Sequence, residues 1–221
     1  MRHDVLKDDI IKAAEITAAW SAAETSHAHT KVDPVPPKVL AASHGVVFLH
    51  YLKAGAVVSA TIGTGFVIAR INKGEANECW SAPSALSTGG MGIGFQIGAE
   101  KAHNAVILNT PEAKDSFTHK MKITLGATSD LSDGIANNMR GESAILGAHD
   151  TSSYTYAGGT WAGIGLDSAA LTTDKSANKE FYGREATPEQ LLASFPDAEI
   201  VKKYPQLQNL YANLDAVLAR A

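Results

Sequence analysis

WSAPSALSTGGMGIGFQIGAE, residues 80–100, sets Gly89, Gly90, Gly92, Gly94 and Gly98 between an aromatic start and an acidic end, with no charge inside. In an extended strand the two-residue period puts Gly90, Gly92 and Gly94 on one face and Met91, Ile93 and Phe95 on the other. Glycine in a strand interior costs about 0.5–1 kcal/mol relative to alanine, so three in register require a compensating gain. Close approach of a second backbone, or of a large side chain such as Trp80 or Trp161, supplies one. Phosphate cradling fails on spacing. The glycines do not form G-x-G-x-x-G, no helix signal follows Gly98, and the chain has no G-x-x-x-x-G-K-[ST]. The stretch reads as a scaffold strand.

Upstream, GVVFLHYLKAGAVVSATIGTGFVIARI (45–71) is rich in Val, Ile and Phe and punctuated by glycine, which predicts three strands. Many positions are apolar on both faces, the mark of strands buried between layers. INKGEANE follows as a polar turn. Downstream, AVILNTPEAKDSF predicts a strand and then a helix capped by Thr110 with Pro111 first. KITLGA, SYTYAGGTWAGIGL and AALTT read as further short segments, AGG carrying a hairpin signal.

Helices frame this core. Asp4 can cap a helix through VLKDDIIKAAEITAAW, with Leu6, Ile10, Ala14 and Thr17 on one face. SHAHTKVDPVPP is a linker, and PPKVLAAS is a short helix stopping before Gly45. ATPEQLLASF has Thr187 as cap, Pro188 first and Gln190 completing a capping box. PQLQNLYANLDAVLARA carries Leu207, Leu210, Tyr211, Leu214, Val217 and Leu218 as one stripe, open either to packing on its own domain or to a homodimer seam. The fold class is α+β, a single compact domain whose mostly antiparallel, glycine-rich β core (barrel- or sandwich-like) is flanked by N- and C-terminal helices.

Composition narrows the partners. The 221 residues are 45% hydrophobic and 19% charged, with formal net charge -4, so no global attraction to nucleic acid exists and any anionic contact must come from a local basic patch. The single cysteine, Cys79, fits a reducing compartment. No basic start followed by an apolar run marks a secretory signal, and a cytoplasmic location is expected.

Catalytic and metal readings find little support. Ser81, Ser84 and Ser87 lie outside G-x-S-x-G and have no histidine or acid assigned to them by spacing. His27 and His29 form an H-x-H pair without a third ligand, His44 and His50 flank a buried strand, and Asp130 and Asp133 lack the periodicity of a calcium loop. No metal, cofactor or enzymatic activity is expected.

PPKVLAASHGVVFLHYLKAGAVVSATIGTGFVIAR, WSAPSALSTGGMGIGFQIGAE, AVILNT, KITLGA, WAGIGLDSAAL and KSANKEFYG, in that order, resemble the motifs of the SYLF domain family. The resemblance implies a division into an N-terminal amphipathic helix and linker (1–35), the SYLF core (36–193) and a C-terminal helical extension (194–221). It implies binding to anionic, phosphoinositide-containing membranes and, as in fungal relatives, to actin in endocytosis. Lipid contacts would fall on Lys7, Lys12, Lys38, Lys53, Arg70, Lys175 and Lys179. Lys53 and Arg70 have fold anchoring as a competing role, and Lys7 and Lys12 share a helix with acids. The expected function is a non-enzymatic adaptor, cytoplasmic and peripheral at membranes. The alternative is a carrier holding an apolar small molecule or acyl chain inside the β core.

Overall fold

The computed structural model describes residues 4–22, 34–118, 123–125, 131–132, 138–141 and 151–221. Helix α1 (Val5–Ala22) and α2 (Pro37–Ala42) precede β1 (Gly45–Ile71), β2 (Cys79–Trp80) and β3 (Ser84–Leu108). Then come α3 (Pro111–Asp115), the short strands β4 (Ile123–Leu125), β5 (Leu131–Ser132) and β6 (Asn138–Gly141), and β7 (Thr151–Thr173). Helices α4 (Lys175–Tyr182), α5 (Pro188–Leu192), α6 (Ala198–Lys203) and α7 (Pro205–Leu218) complete the chain. Among the described residues the sheet has seven strands, all pairing antiparallel, in the order β2-β1-β3-β7-β4, with β5 and β6 also on β7. The α+β class holds.

Two strand expectations need correction. Residues 45–71 form one strand rather than three. The hairpin expected at Ala157–Gly159 is absent, for these residues run straight through the ladder opposite Ala102, Lys101 and Glu100.

β1 nevertheless doubles back on itself. Residues 48 and 65 of a straight strand would stand roughly 56 Å apart at about 3.3 Å per residue. Yet a Cβ added to Gly65 would collide with the Phe48 carbonyl oxygen, one on Gly63 with that of His50, and one on Gly45 would lie 2.6 Å from that of Ile68. The reversal falls between Gly55 and Val58, where the β1–β3 register slips and Val57 adopts φ 63°. Close backbone approach is therefore the use of glycine at Gly45, Gly55, Gly63 and Gly65 of β1, whereas the sequence reading assigns it to Gly90, Gly92 and Gly94 of β3. In β3, by contrast, Gly89 has open space around it.

Doubling sorts β1 by parity. Val47, Leu49, Val67 and Ala69 share the inward face of both halves, in a core with Val106, Leu108, Phe117 and Leu192. Val46, Phe48, Phe66 and Ile68 face outward into a second core under the helices, with Leu6, Ile10, Trp20, Phe181, Leu207, Leu210 and Leu214. Trp20, Phe48 and Phe66 form a run of rings with successive centroids 6.1 and 5.3 Å apart.

Three of the helices start at side-chain caps that the sequence announces. The Asp4 carboxylate accepts from Lys7 N (3.2 Å), Thr110 Oγ1 from Ala113 N (3.1 Å), and Thr187 and Gln190 form the reciprocal capping box. The α7 stripe is closed within the molecule: Leu207, Leu210, Leu214 and Val217 are fully buried, and Asn213 Nδ2 donates to the Ala14 carbonyl of α1 at 3.0 Å. A homodimer seam through this stripe would have to displace α1.

Candidate functional site

The residues expected to carry function fall into three places. The first is a polar cluster beneath α1. His50 on β1 and His103 on β3 are register partners, and their Nδ1 atoms are 2.6 Å apart, so one neutral ring donates to the other. His50 Nε2 reaches the Asp9 carbonyl at 3.2 Å. Burial first, then the charges of His103 and Lys12, push the His50 pKa down to about 3; burial and Lys12 also lower that of His103. The Asp9 carboxylate is buried in the same cluster, and burial raises its pKa against the opposing effects of Thr64 and Lys12. Lys12 Nζ lies 3.1 Å from Asp9 Oδ1, which ties it to the fold.

A second group surrounds Arg70. Its guanidinium donates to the Leu40 and Ala41 carbonyls (3.2 and 3.3 Å), pairs with Glu78 and stands 5.5 Å from the centre of the Trp80 ring. Trp80 Nε1 in turn donates to Asp215 of α7 at 3.0 Å. Arg70 therefore joins α2, β1, β2 and the turn between them. Lys53 is likewise internal, 4% exposed and directly opposite Glu100, itself 6% exposed. Both cations matched family motifs, and the structure assigns both to the interior or its rim.

The third group is exposed. Lys7, Lys38, Lys175 and Lys179 lie at the surface of α1, α2 and α4. Lys175 and Lys179 share a surface cleft of about 720 Å³ with Thr187 and Gln190, although Lys179 also pairs with Glu185 at 3.0 Å.

Serine chemistry gains no partner here. Ser81 Oγ accepts from Ala69 N (2.8 Å) and donates to the Ala82 carbonyl (3.1 Å), while Ser84 is buried and Ser87 faces Thr172. His44 lies beside Lys73 Nζ at 3.5 Å. His27, His29, Asp130 and Asp133 lie outside the described residues. Among the described residues no group of three or more His, Cys, Asp or Glu is placed to hold a metal ion, and no helix is long and apolar enough to cross a membrane.

The far end of the sheet holds what the sequence reading missed. Beyond His50 and Thr64 the outward positions of β1 are Leu52, Ala54, Ala56, Val58, Ala60 and Ile62, all exposed. Across the ladder, Met91, Ile97 and Ala99 are exposed too. The signal was present as alternation, but neither its face nor its lack of cover could be read without the reversal at Val57.

A glycine-rich antiparallel sheet, doubled over and, among the described residues, helix-covered at one end only, defines an α+β scaffold of the SYLF type. The Ysc84 family profile, described as Las17-binding protein actin regulator, matches residues 89–217, and the chain belongs to this family. It is 34% identical over 181 residues to the SH3 domain-containing YSC84-like protein 1 of Xenopus laevis, covering 81% of this chain and 52% of that protein. Identity to the human protein of the same name is 31% over 212 residues, 96% of this chain and 59% of the relative. LAS seventeen-binding protein 3 of Saccharomyces cerevisiae is 32% identical over 191 residues, 85% of this chain and 40% of the relative. The chain thus spans about half the length of these curated relatives. No solved structure matches it.

Proposed function

We propose that this protein is a non-enzymatic adaptor that holds to anionic, phosphoinositide-containing membrane from the cytoplasmic side and links it to regulators of actin. Membership of a family described as Las17-binding actin regulators carries the reading. The geometry supports it by leaving Lys7, Lys38, Lys175 and Lys179 exposed on the helical layer. Lys12 and Arg70 act instead as anchors of this layer, and Lys53 is buried opposite Glu100 within the sheet.

The mechanism is peripheral electrostatics. Each lysine near an anionic surface contributes about 1 kcal/mol, within a Debye length of about 8 Å at physiological salt. Co-sedimentation with vesicles, with and without phosphoinositide, tests it. Binding should require anionic lipid and weaken as salt rises, and Lys38→Gln with Lys175→Gln should reduce affinity about thirtyfold on the same per-lysine value. Affinity indifferent to both salt and lipid charge would remove the membrane part. Failure to bind actin filaments or a Las17-like partner in pull-downs would remove the cytoskeletal part.

The carrier alternative loses ground near the helices, where the packed rings of Trp20, Phe48 and Phe66 fill the core.

A further inference from the structure

Six of the eight large apolar side chains left exposed among the described residues lie at one end of the molecule. They are Leu52, Val57, Val58, Ile62, Met91 and Ile97, the last five between 55% and 71% exposed. Isolated apolar side chains on a surface are ordinary, but a contiguous group of them marks a contact. These are contiguous, since Val58 and Ile62 share the outward face of β1 with Met91 opposite Ala60, and Ile97 stands opposite Ala56.

The same segment is inverted. Its buried polar side chains Lys53, Ser59, Thr88 and Glu100 lie on the inward face among glycines, while its outward positions are aliphatic. Polar-in and apolar-out alternation is how a strand is written when its outer solvent is hydrocarbon rather than water. β3 here is paired on both sides, with β1 and β7, so its backbone donors and acceptors stay satisfied if water is replaced by lipid.

Charge selects the occupant. Residues 52–62 and 89–101 contain Glu100 as their sole carboxylate, and it points inward, whereas Lys101 is exposed at the margin opposite Leu52. Among the described side chains of these two segments, this end thus shows no outward carboxylate and has a cation at its edge. Its described exposed side chains also lack the aromatic and arginine anchors that concentrate binding energy in protein interfaces. Helix α1, the other amphipathic element, has spent its apolar face on the core: Leu6, Ile10, Ala13 and Trp20 are at most 1% exposed.

We propose that the helix-free end of the sheet, formed by Leu52, Val57, Val58, Ile62, Met91 and Ile97, is the element that enters the acyl boundary of an anionic bilayer. The proposal rests on the membrane reading above and places the apolar contact at this end, apart from the helical layer that carries Lys38 and Lys175. Insertion is shallow and interfacial, with Lys101 reaching the head groups.

The test uses the full chain with Cys79→Ser and Met91→Cys, the new thiol carrying an environment-sensitive fluorophore. Vesicles contain phosphatidylcholine with phosphatidylserine and a phosphoinositide, with or without bromine on the acyl chains. Expected are a blue shift on binding and quenching by the brominated chains. Unlabelled Ile62→Ser with Met91→Ser should lose about tenfold or more in vesicle affinity while keeping its thermal melt, since only exposed aliphatic area is removed. Lys101→Gln should lose about fivefold. Vesicle binding that persists in the double-serine variant, with no quenching at position 91, overturns this surface and leaves the membrane reading standing. Wild-type protein that binds no vesicle of either charge overturns both. A vesicle-free dimer that the double-serine variant dissociates also overturns the proposal, because a second copy would then be the cover.

Discussion

The two ends of β1 are written in nearly the same alphabet and meet different surroundings. At the helix end the outward positions are Val46, Phe48, Phe66 and Ile68, all shut beneath α1 and α7. At the reversal end they are Leu52, Ala54, Ala56, Val58, Ala60 and Ile62, open to solvent. The inward positions differ in the opposite sense, being Val47, Leu49 and Val67 at the first end and Lys53 and Ser59 at the second. Between them lies the polar cluster of Asp9, His50, Thr64 and His103, where the cover of α1 ends. Hydrophobicity along a strand thus reports its outer solvent only once the extent of its helical cover is known.

The largest expected effect comes from the covered end. Phe48→Ala removes a fully buried ring from the Trp20–Phe48–Phe66 run and should cost about 3–5 kcal/mol in denaturant unfolding. A cost under 1 kcal/mol would break the comparison, since that end would then not be the packed one.

Acid should act next, through the boundary between the two ends. The His50 pKa falls from its ordinary 6.5 to about 3 in the fold, so its contribution is complete above pH 6.5 and is lost as pH drops toward 3. His103 shifts in the same direction. Asp9, raised by burial, works oppositely, its contribution lessening as pH rises through its folded pKa. Between pH 7 and 4.5 the net loss should be about 2–3 kcal/mol, or about 5–10 °C in melting temperature. A melt that stays flat in the wild type would remove the histidine pair as a pH-sensitive clasp.

A third experiment compares two glycines. Gly65→Ala places a methyl against the Phe48 carbonyl and should cost about 1–3 kcal/mol, whereas Gly89→Ala, with open space around it, should be neutral or stabilise by about 0.5–1 kcal/mol. Equal effects would contradict the doubled-back course of β1. Smallest of all is Met91→Ser at the open end, expected within about 0.5 kcal/mol of wild type by calorimetry.

Local chemistry made much of the frame legible. Thr110, Thr187 and Gln190 cap the helices their spacing announced, and the α7 stripe is buried as read. The long strands were not legible, because glycine signals both a turn and a close backbone approach, and Gly63, Gly158 and Gly159 were read as the former. The reversal itself sits at Val57, a β-branched residue at positive φ, the last type expected there. For the site, the exposed lysines could be named from motifs. The burial of Lys53 could not, since it depends on Glu100 standing across from it, forty-seven positions away in register. His50 and His103 likewise meet only through that ladder.

The joining of first and last helices bears on how such domains are dissected. Tyr204 reaches Asp4 (2.7 Å), and Arg220 reaches the carbonyl of Trp20 (2.8 Å). Deleting the leading helix to look for its role would not trim an appendage; it would strip a wall from the hydrophobic interior and lay bare Leu207, Leu210 and Leu214. Any activity lost in such a truncation would report collapse of the whole body before it reported the segment removed.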